Sequence, residues 1–229
     1  ESLHQIIFGI EPGGNFKHSD QYRTIFGADE LLYVLSGILI INNPETGETH
    51  KVLPGESVFF QKDTWHHAFN YSDEYLQVLE FFSPPPITGT SGAYAKEKKL
   101  LTNLKYKRDN FLFPSEQFKN ENSFKILRKN EYIWSLEGAN QETLIATLVK
   151  TKNLDVKIIN LKSLQESNVF NFKKNTSYLS LNDNLEVIID NDKQFLLSKK
   201  DGMYLPKNCS FKIKNLNNYD ANIIFCIGI

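Results

Sequence analysis

The five histidines, His4, His18, His50, His66 and His67, all lie in the first 67 residues, and none follows. Histidine is the commonest neutral nitrogen ligand for transition metals and the usual acid or base near neutral pH. Histidine-dependent chemistry is therefore confined to the N-terminal part of the chain. Two of the five stand together in Thr64-Trp65-His66-His67-Ala68-Phe69-Asn70. On a strand, successive side chains point to opposite faces, so His66, Ala68 and Asn70 share one face and Trp65, His67 and Phe69 the other. Only one of the paired histidines can serve an interior site.

Glu30 and Arg23 are further candidates upstream. A carboxylate can bind a metal or orient a base; Glu30 can equally just begin a strand or pair with Arg23. A guanidinium can clamp a carboxylate or phosphate, or form a surface ion pair. His18-Ser19-Asp20 is an H-x-D ten residues before Glu30. If residues 22–27 bulge out as a loop, His18 reaches the neighbourhood of Glu30 and His66. Those three would be a two-histidine, one-carboxylate set. Otherwise His18 caps a loop and Asp20 is solvated.

The elements that must position these residues read as a β-meander. Apolar, β-prone runs at residues 30–35, 38–41, 49–53, 56–60, 66–70 and 75–82 are separated by Ser36-Gly37, the Asn42–Glu48 stretch with Pro44 and Gly47, and Pro54-Gly55. Short strands with turn signals between them indicate a sandwich or barrel. Residues 83–92, rich in Pro, Gly, Ser and Thr, break the pattern. Residues 84–125 read as a connector with one short helix. Strand patterns return from residue 142 to the end in the same order as before. That is an internal repeat longer than 100 residues, giving units of 1–83 and 126–229.

Composition bounds the rest. A chain of 229 residues, 41% hydrophobic and 23% charged, is an ordinary globular protein. The net charge of −1 offers no bulk attraction to nucleic acid or an anionic membrane. No apolar run is long enough to span a bilayer. The two cysteines, Cys209 and Cys226, have no metal-finger spacing and read as free buried thiols of a cytoplasmic protein. The abundance of Asn, Lys, Ile and Phe fits an AT-rich, bacterial coding sequence.

Two spacings are specific: Glu30-x6-Gly37 and Gly55-x10-His66-x3-Asn70. Together they resemble the cupin family. Its first motif ends in a glutamate and glycine, here Glu30 and Gly37 around the Tyr33-Val34-Leu35 strand. Its second carries glycine, proline, histidine and asparagine, here Gly55, Gln61 in place of proline, His66 and Asn70. The resemblance implies an all-β chain of two jelly-roll barrels in tandem with a short mixed linker. It implies Glu30 and His66 at a barrel mouth, with Asn70 and Arg23 available to a substrate and His67 turned outward. The family's histidine pair is missing: the corresponding positions hold Arg23, Thr24, Ile25 and Phe26. A metal (Fe, Mn, Zn or Ni) would then need His18 beside His66 and Glu30. Without it there is no cofactor.

In the second half, Phe211 stands where the histidine should be, Asn215 matches the asparagine, Phe170 and Phe172 fall near the histidine pair, and Asn175 or Thr176 near the glutamate. Gly202 and Pro206 resemble the turn and strand of the second motif. That barrel is expected to be chemically empty. Two readings of function stay open. One is a small-molecule enzyme of dioxygenase, lyase or isomerase type, acting through a metal or through His66 as base and Glu30 as its partner. The other is a non-catalytic small-molecule-binding or structural protein. A homodimer joined along sheet edges is expected in either case.

Overall fold

A computed structural model describes residues 4–84, 93–109, 122–190 and 192–228. Most of the Pro-rich break, the middle of the expected connector and Asn191 lie outside the described residues. The chain divides into two compact units between Asn130 and Glu131.

The first unit is a two-sheet jelly roll. Its strands are β1 (His4–Ile10), β2 (Asn15–Phe16), β3 (Asp29–Ser36), β4 (Leu39–Asn42), β5 (Thr49–Val52), β6 (Ser57–Phe60), β7 (His67–Asn70), β8 (Leu76–Ser83) and β9 (Lys125–Leu127). One sheet has the order β1-β8-β3-β6-β9 and the other β2-β7-β4-β5. Alternation places Leu32 and Val34 of β3, Val58 and Phe60 of β6, and Leu76 and Val78 of β8 against Leu39, Ile41, Val52 and Ala68 of the facing sheet. Each buried aliphatic or aromatic side chain contributes about 1.5–3 kcal/mol, so this interior fixes the register of every strand.

The motif glycines are turn residues. Gly37 has φ 73°, and a Cβ there would lie 2.8 Å from the Leu76 backbone. Gly55 has φ 83°. Its N–H donates to Val34 O at 2.9 Å, and Glu56 N–H donates to Leu53 O at 2.9 Å.

The described part of the expected connector belongs to the first unit. Helix α1 (Ala93–Glu97) brings Ala95, with Leu101 just beyond it, against Ile25 and Trp65. Strand β9 pairs with β6, and Phe124 enters the main core. Buried Glu48 accepts from the backbone N–H groups of Ser123 (2.7 Å) and Phe124 (3.3 Å) and lies 2.7 Å from His50 Nε2. Burial opposes its charge, but hydrogen bonds from His50, Ser123 and Phe124 outweigh that and lower its pKa. A few apolar anchors and one buried carboxylate thus tie a mostly polar segment down.

The second unit repeats the architecture. It contains β10 (Trp134–Glu137), β11 (Thr143–Lys150), β12 (Asp155–Leu161), β13 (Phe170–Asn171), β14 (Thr176–Ser180), β15 (Leu185–Ile189), β16 (Lys193–Leu197), β17 (Gly202–Leu205), β18 (Ser210–Asn215) and β19 (Ala221–Ile227). Its sheets are β10-β11-β12-β19-β14-β17 and β13-β18-β15-β16.

The turn that matches Gly55 centres on Lys200, with φ 74°. Lys200 N–H donates to Ser180 O at 2.8 Å and Asp201 N–H to Ser198 O at 3.0 Å. Gly202, expected at this turn, instead begins β17. Lysine at a left-handed position disguises the turn in the sequence, because glycine is the usual occupant.

Candidate functional site

A cavity of about 440 Å³ opens in the first unit between the edge strands β1 and β2. Its walls are apolar: Ile6, Phe8 and Ile10 from β1, Phe16 from β2, Phe26 from the loop before β3, and Leu32 and Ala68 from the core. His66 and Glu80 are the polar groups at its floor, and Glu11 and Asn15 stand with them among the lining residues. A mostly apolar cavity with a few convergent polar groups is the usual form of a small-molecule site.

Strand parity brings His66 and Glu80 to this floor and places Glu30 just behind them. Glu30 and Leu32 face inward on β3, where Leu32 lies opposite Glu80 of β8. His66 precedes β7 on the same face as Ala68, and its backbone N–H donates to Thr24 O at 3.1 Å. The ring packs between Phe60 (centroids 4.7 Å apart) and Phe26 (5.4 Å). Its Nδ1–H donates to Thr64 O at 3.2 Å, which leaves Nε2 with a bare lone pair. That Nε2 lies 3.9 Å from Glu30 Oε2.

Glu30 is 1% exposed and its Oε2 has no hydrogen-bond partner. Burial, then the neighbouring Glu80 carboxyl, raises the Glu30 pKa well above the usual carboxylate range. Burial likewise raises that of Glu80. The Glu80 carboxyl thus opposes ionisation of Glu30, and the coupled pair favours holding a proton. Burial lowers the His66 pKa to about 4, so the imidazole is neutral near neutral pH. The floor therefore joins a proton-holding carboxyl pair to a neutral ring nitrogen.

Residues 7–82 match the family model described as a cupin domain. The first unit is a cupin domain. The fold of the whole chain is that of a two-cupin protein, as solved structures show. AerE from Microcystis aeruginosa is 13% identical, with all of this chain and 88% of that one covered at a TM-score of 0.68. An oxalate decarboxylase from Lactobacillus farciminis, in a formate complex, is 11% identical, covering 99% and 77% at 0.66. A cupin 2 conserved barrel domain protein from Leptotrichia buccalis is 11% identical, covering 100% and 84% at 0.59. No curated protein matches in sequence.

The cupin's expected metal set is not gathered. His18 lies with His67, not with His66. Its Nε2–H donates to Leu101 O at 2.8 Å, and its Nδ1 is 2.7 Å from His67 Nε2. His67 faces away from the cupin interior, as parity requires, and is fully buried there. Leu101 and Tyr106, from the segment after α1, cover that side. Among the described residues no three His, Cys, Asp or Glu side chains are arranged to hold a metal ion. A tight site needs three or four protein ligands, so the residues present do not fit one.

Arg23 and Asn70 are also placed elsewhere. Neither lines the cavity. Asn70 is 1% exposed and its side chain is consumed by the backbone. Its Nδ2 donates to Ile10 O (3.0 Å) and Glu74 O (2.7 Å), and its Oδ1 accepts from Ser72 N–H (3.0 Å). It braces the turn after β7. Glu80 is the residue that motif reasoning misses. Its signal was a lone carboxylate in the apolar run Leu76–Phe82, in phase with inward-facing Leu76 and Val78.

The second unit keeps the brace and lacks the titratable set. Asn215 Nδ2 donates to Leu161 O (3.2 Å) and Tyr219 O (2.7 Å), and its Oδ1 accepts from Asn217 N–H (3.0 Å), as Asn70 does in the first. In this register Phe211 takes the place of His66, Phe225 that of Glu80 and Thr176 that of Glu30. Phe211 and Phe225 each lie 5.2 Å from buried Tyr178, and Phe170 and Phe172 close the cluster. Side chains fill the space that is open in the first unit.

Proposed function

We propose that the first cupin unit is a small-molecule site that works by proton exchange without a metal. The cavity takes a compact, mostly apolar molecule, and the Glu30–Glu80 pair exchanges a proton with it. The single observation that carries this is the pair of buried glutamates beside His66: Glu80 lines the cavity with it, and Glu30, just behind, has its Oε2 3.9 Å from His66 Nε2.

The roles differ from those the motif alone suggests. His66, with its pKa near 4, is a weak base. A carboxyl whose pKa is raised toward neutrality is the better proton donor and acceptor there. His66 Nε2 can receive the proton that Glu30 gives up, or accept a hydrogen bond from the bound molecule. The apolar walls exclude water and strengthen each of these interactions. Proton transfer next to a carbonyl, as in an isomerase or lyase, suits this arrangement.

Incubation in D₂O with a panel of ketones, aldehydes and amino ketones, followed by NMR, tests the reading. Deuterium incorporation above background that disappears in Glu80→Gln is the expected result. Molecules that bind but never exchange would place the protein in the non-catalytic binding class, the reading favoured by the low basicity of His66.

A further inference from the structure

The charge around this cavity also selects among ligands, and this step rests on the cavity being the binding site proposed above. Each titratable group at or beside the floor is acidic or neutral. Glu80 and Glu11 line the cavity, Glu30 lies behind Glu80 and His66, and Asp29 adds a further carboxylate field at Glu30. No lysine or arginine lines it among the described residues. Elsewhere in the unit, buried carboxylates have donors: Glu48 has His50 and two backbone N–H groups, and Glu56 has Arg128 at 2.6 Å. Glu30 Oε2, buried and without a partner, has none.

An acidic floor that holds no cation, with the bare Nε2 of His66 beside Glu80, favours a ligand that brings a donor. An N–H⁺ donor brings charge as well, and charge-assisted bonds are about twice as strong as neutral ones. A carboxylate ligand would instead set a third acceptor against the pair. We propose that the cavity binds a monoamine with an apolar body, its ammonium group seated between Glu80 and His66 and its body against Phe8, Phe16 and Phe26. Binding transfers no electrons, and the one bond broken is the O–H of the carboxyl that gives up its proton. The proton held by the carboxyl pair leaves to solvent as the ammonium charge replaces it.

Three probes of one shape test the charge: phenethylamine, phenethyl alcohol and phenylacetate, titrated by calorimetry into the full-length protein near neutral pH. The amine should bind at least about tenfold more tightly than the alcohol, a difference of ~1.4 kcal/mol, and phenylacetate should not bind. Glu80→Gln should bring the amine to within about twofold of the alcohol. Its thermal unfolding, followed in parallel, establishes that the variant is folded. NMR of the five histidine rings supplies a second measurement, in which the His66 signals should move and those of His50 should not. Phenylacetate binding as tightly as the amine, or an amine preference that survives Glu80→Gln, overturns the proposal. Alcohol and amine binding equally overturns the charge class alone and leaves the cavity reading in place. Failure of all three to perturb His66 overturns both.

Discussion

His18 Nδ1 sits 2.7 Å from His67 Nε2, on the side of β7 opposite His66. The adjacent histidines of the His66-His67 pair thus serve different purposes. His66 lines a cavity, and His67 helps to attach the segment after α1 to the outer side of the sheet.

Replacing His67 by Ala should therefore loosen that segment and cost about 1–3 kcal/mol, the range for a lost buried hydrogen bond. Chelator treatment should leave stability unchanged in wild type and variant alike. Chemical denaturation with and without EDTA measures both. A chelator-sensitive wild type would contradict the histidine pairing described here.

Acid stability should depend on the same residue. Burial, then the neighbouring His18, His66 and Lys17, lowers the His67 pKa to about 3, and burial lowers that of His66 to about 4. An unfolded histidine titrates near about 6.5. The unfolded state thus binds more protons below that value, and folding stability falls as pH drops from about 6.5 toward 4. His67→Phe should flatten this acid limb in a series of thermal melts; an unchanged slope would refute the assignment.

Glu80→Gln should act on the alkaline side. The raised pKa values of Glu30 and Glu80 mean that the folded state retains protons that the unfolded chain releases above about 4.3. Their contribution to stability is whole below that pH and is lost as pH rises toward the folded-state pKa. Removing one carboxyl should raise the melting temperature relative to wild type, and the gap should widen between acidic and mildly alkaline pH. The expected gain is roughly 3–6 °C for each unit of pKa shift removed.

Asn70→Ala and Asn215→Ala should be similarly destabilising, about 1–3 kcal/mol each, because each loses donors to two backbone carbonyls. If Asn70 were chiefly a ligand-binding residue, its loss would change affinity and spare stability. Denaturation together with probe titration distinguishes these outcomes.

Phe211→Ala should cost about 3–5 kcal/mol, the range for truncating a buried aromatic. It opens space beside Tyr178 and Phe170 in the second unit. Probe binding in the first unit should persist in any fraction that stays folded.

The fold and half of the floor were legible in the sequence, through turn residues and strand parity. Gly37, Gly55, Glu30 and His66 hold spacings that only particular turns and faces satisfy, and the structure places Glu30 and His66 together. His18 was not legible in the same way. Its position depends on residues 17–28 and on Leu101, more than eighty residues away, and no periodicity reports such a contact. Glu80 escaped notice for a different reason. A single carboxylate in an apolar strand breaks no pattern strongly, and its meaning appears only when β3 and β8 are paired. Lys200 shows the limit of motif reading, since the backbone conformation was kept there and the expected residue type was not.

The correspondence of Thr176, Phe211 and Phe225 with Glu30, His66 and Glu80 gives this polypeptide a built-in control. One backbone plan is present twice in the same molecule, once with a hollow acidic interior and once with a solid aromatic one. Grafting in either direction, glutamate and histidine into the second half or phenylalanine into the first, asks what side chains alone contribute while scaffold, expression and solvent are held constant. Few comparisons between separate proteins hold so much fixed.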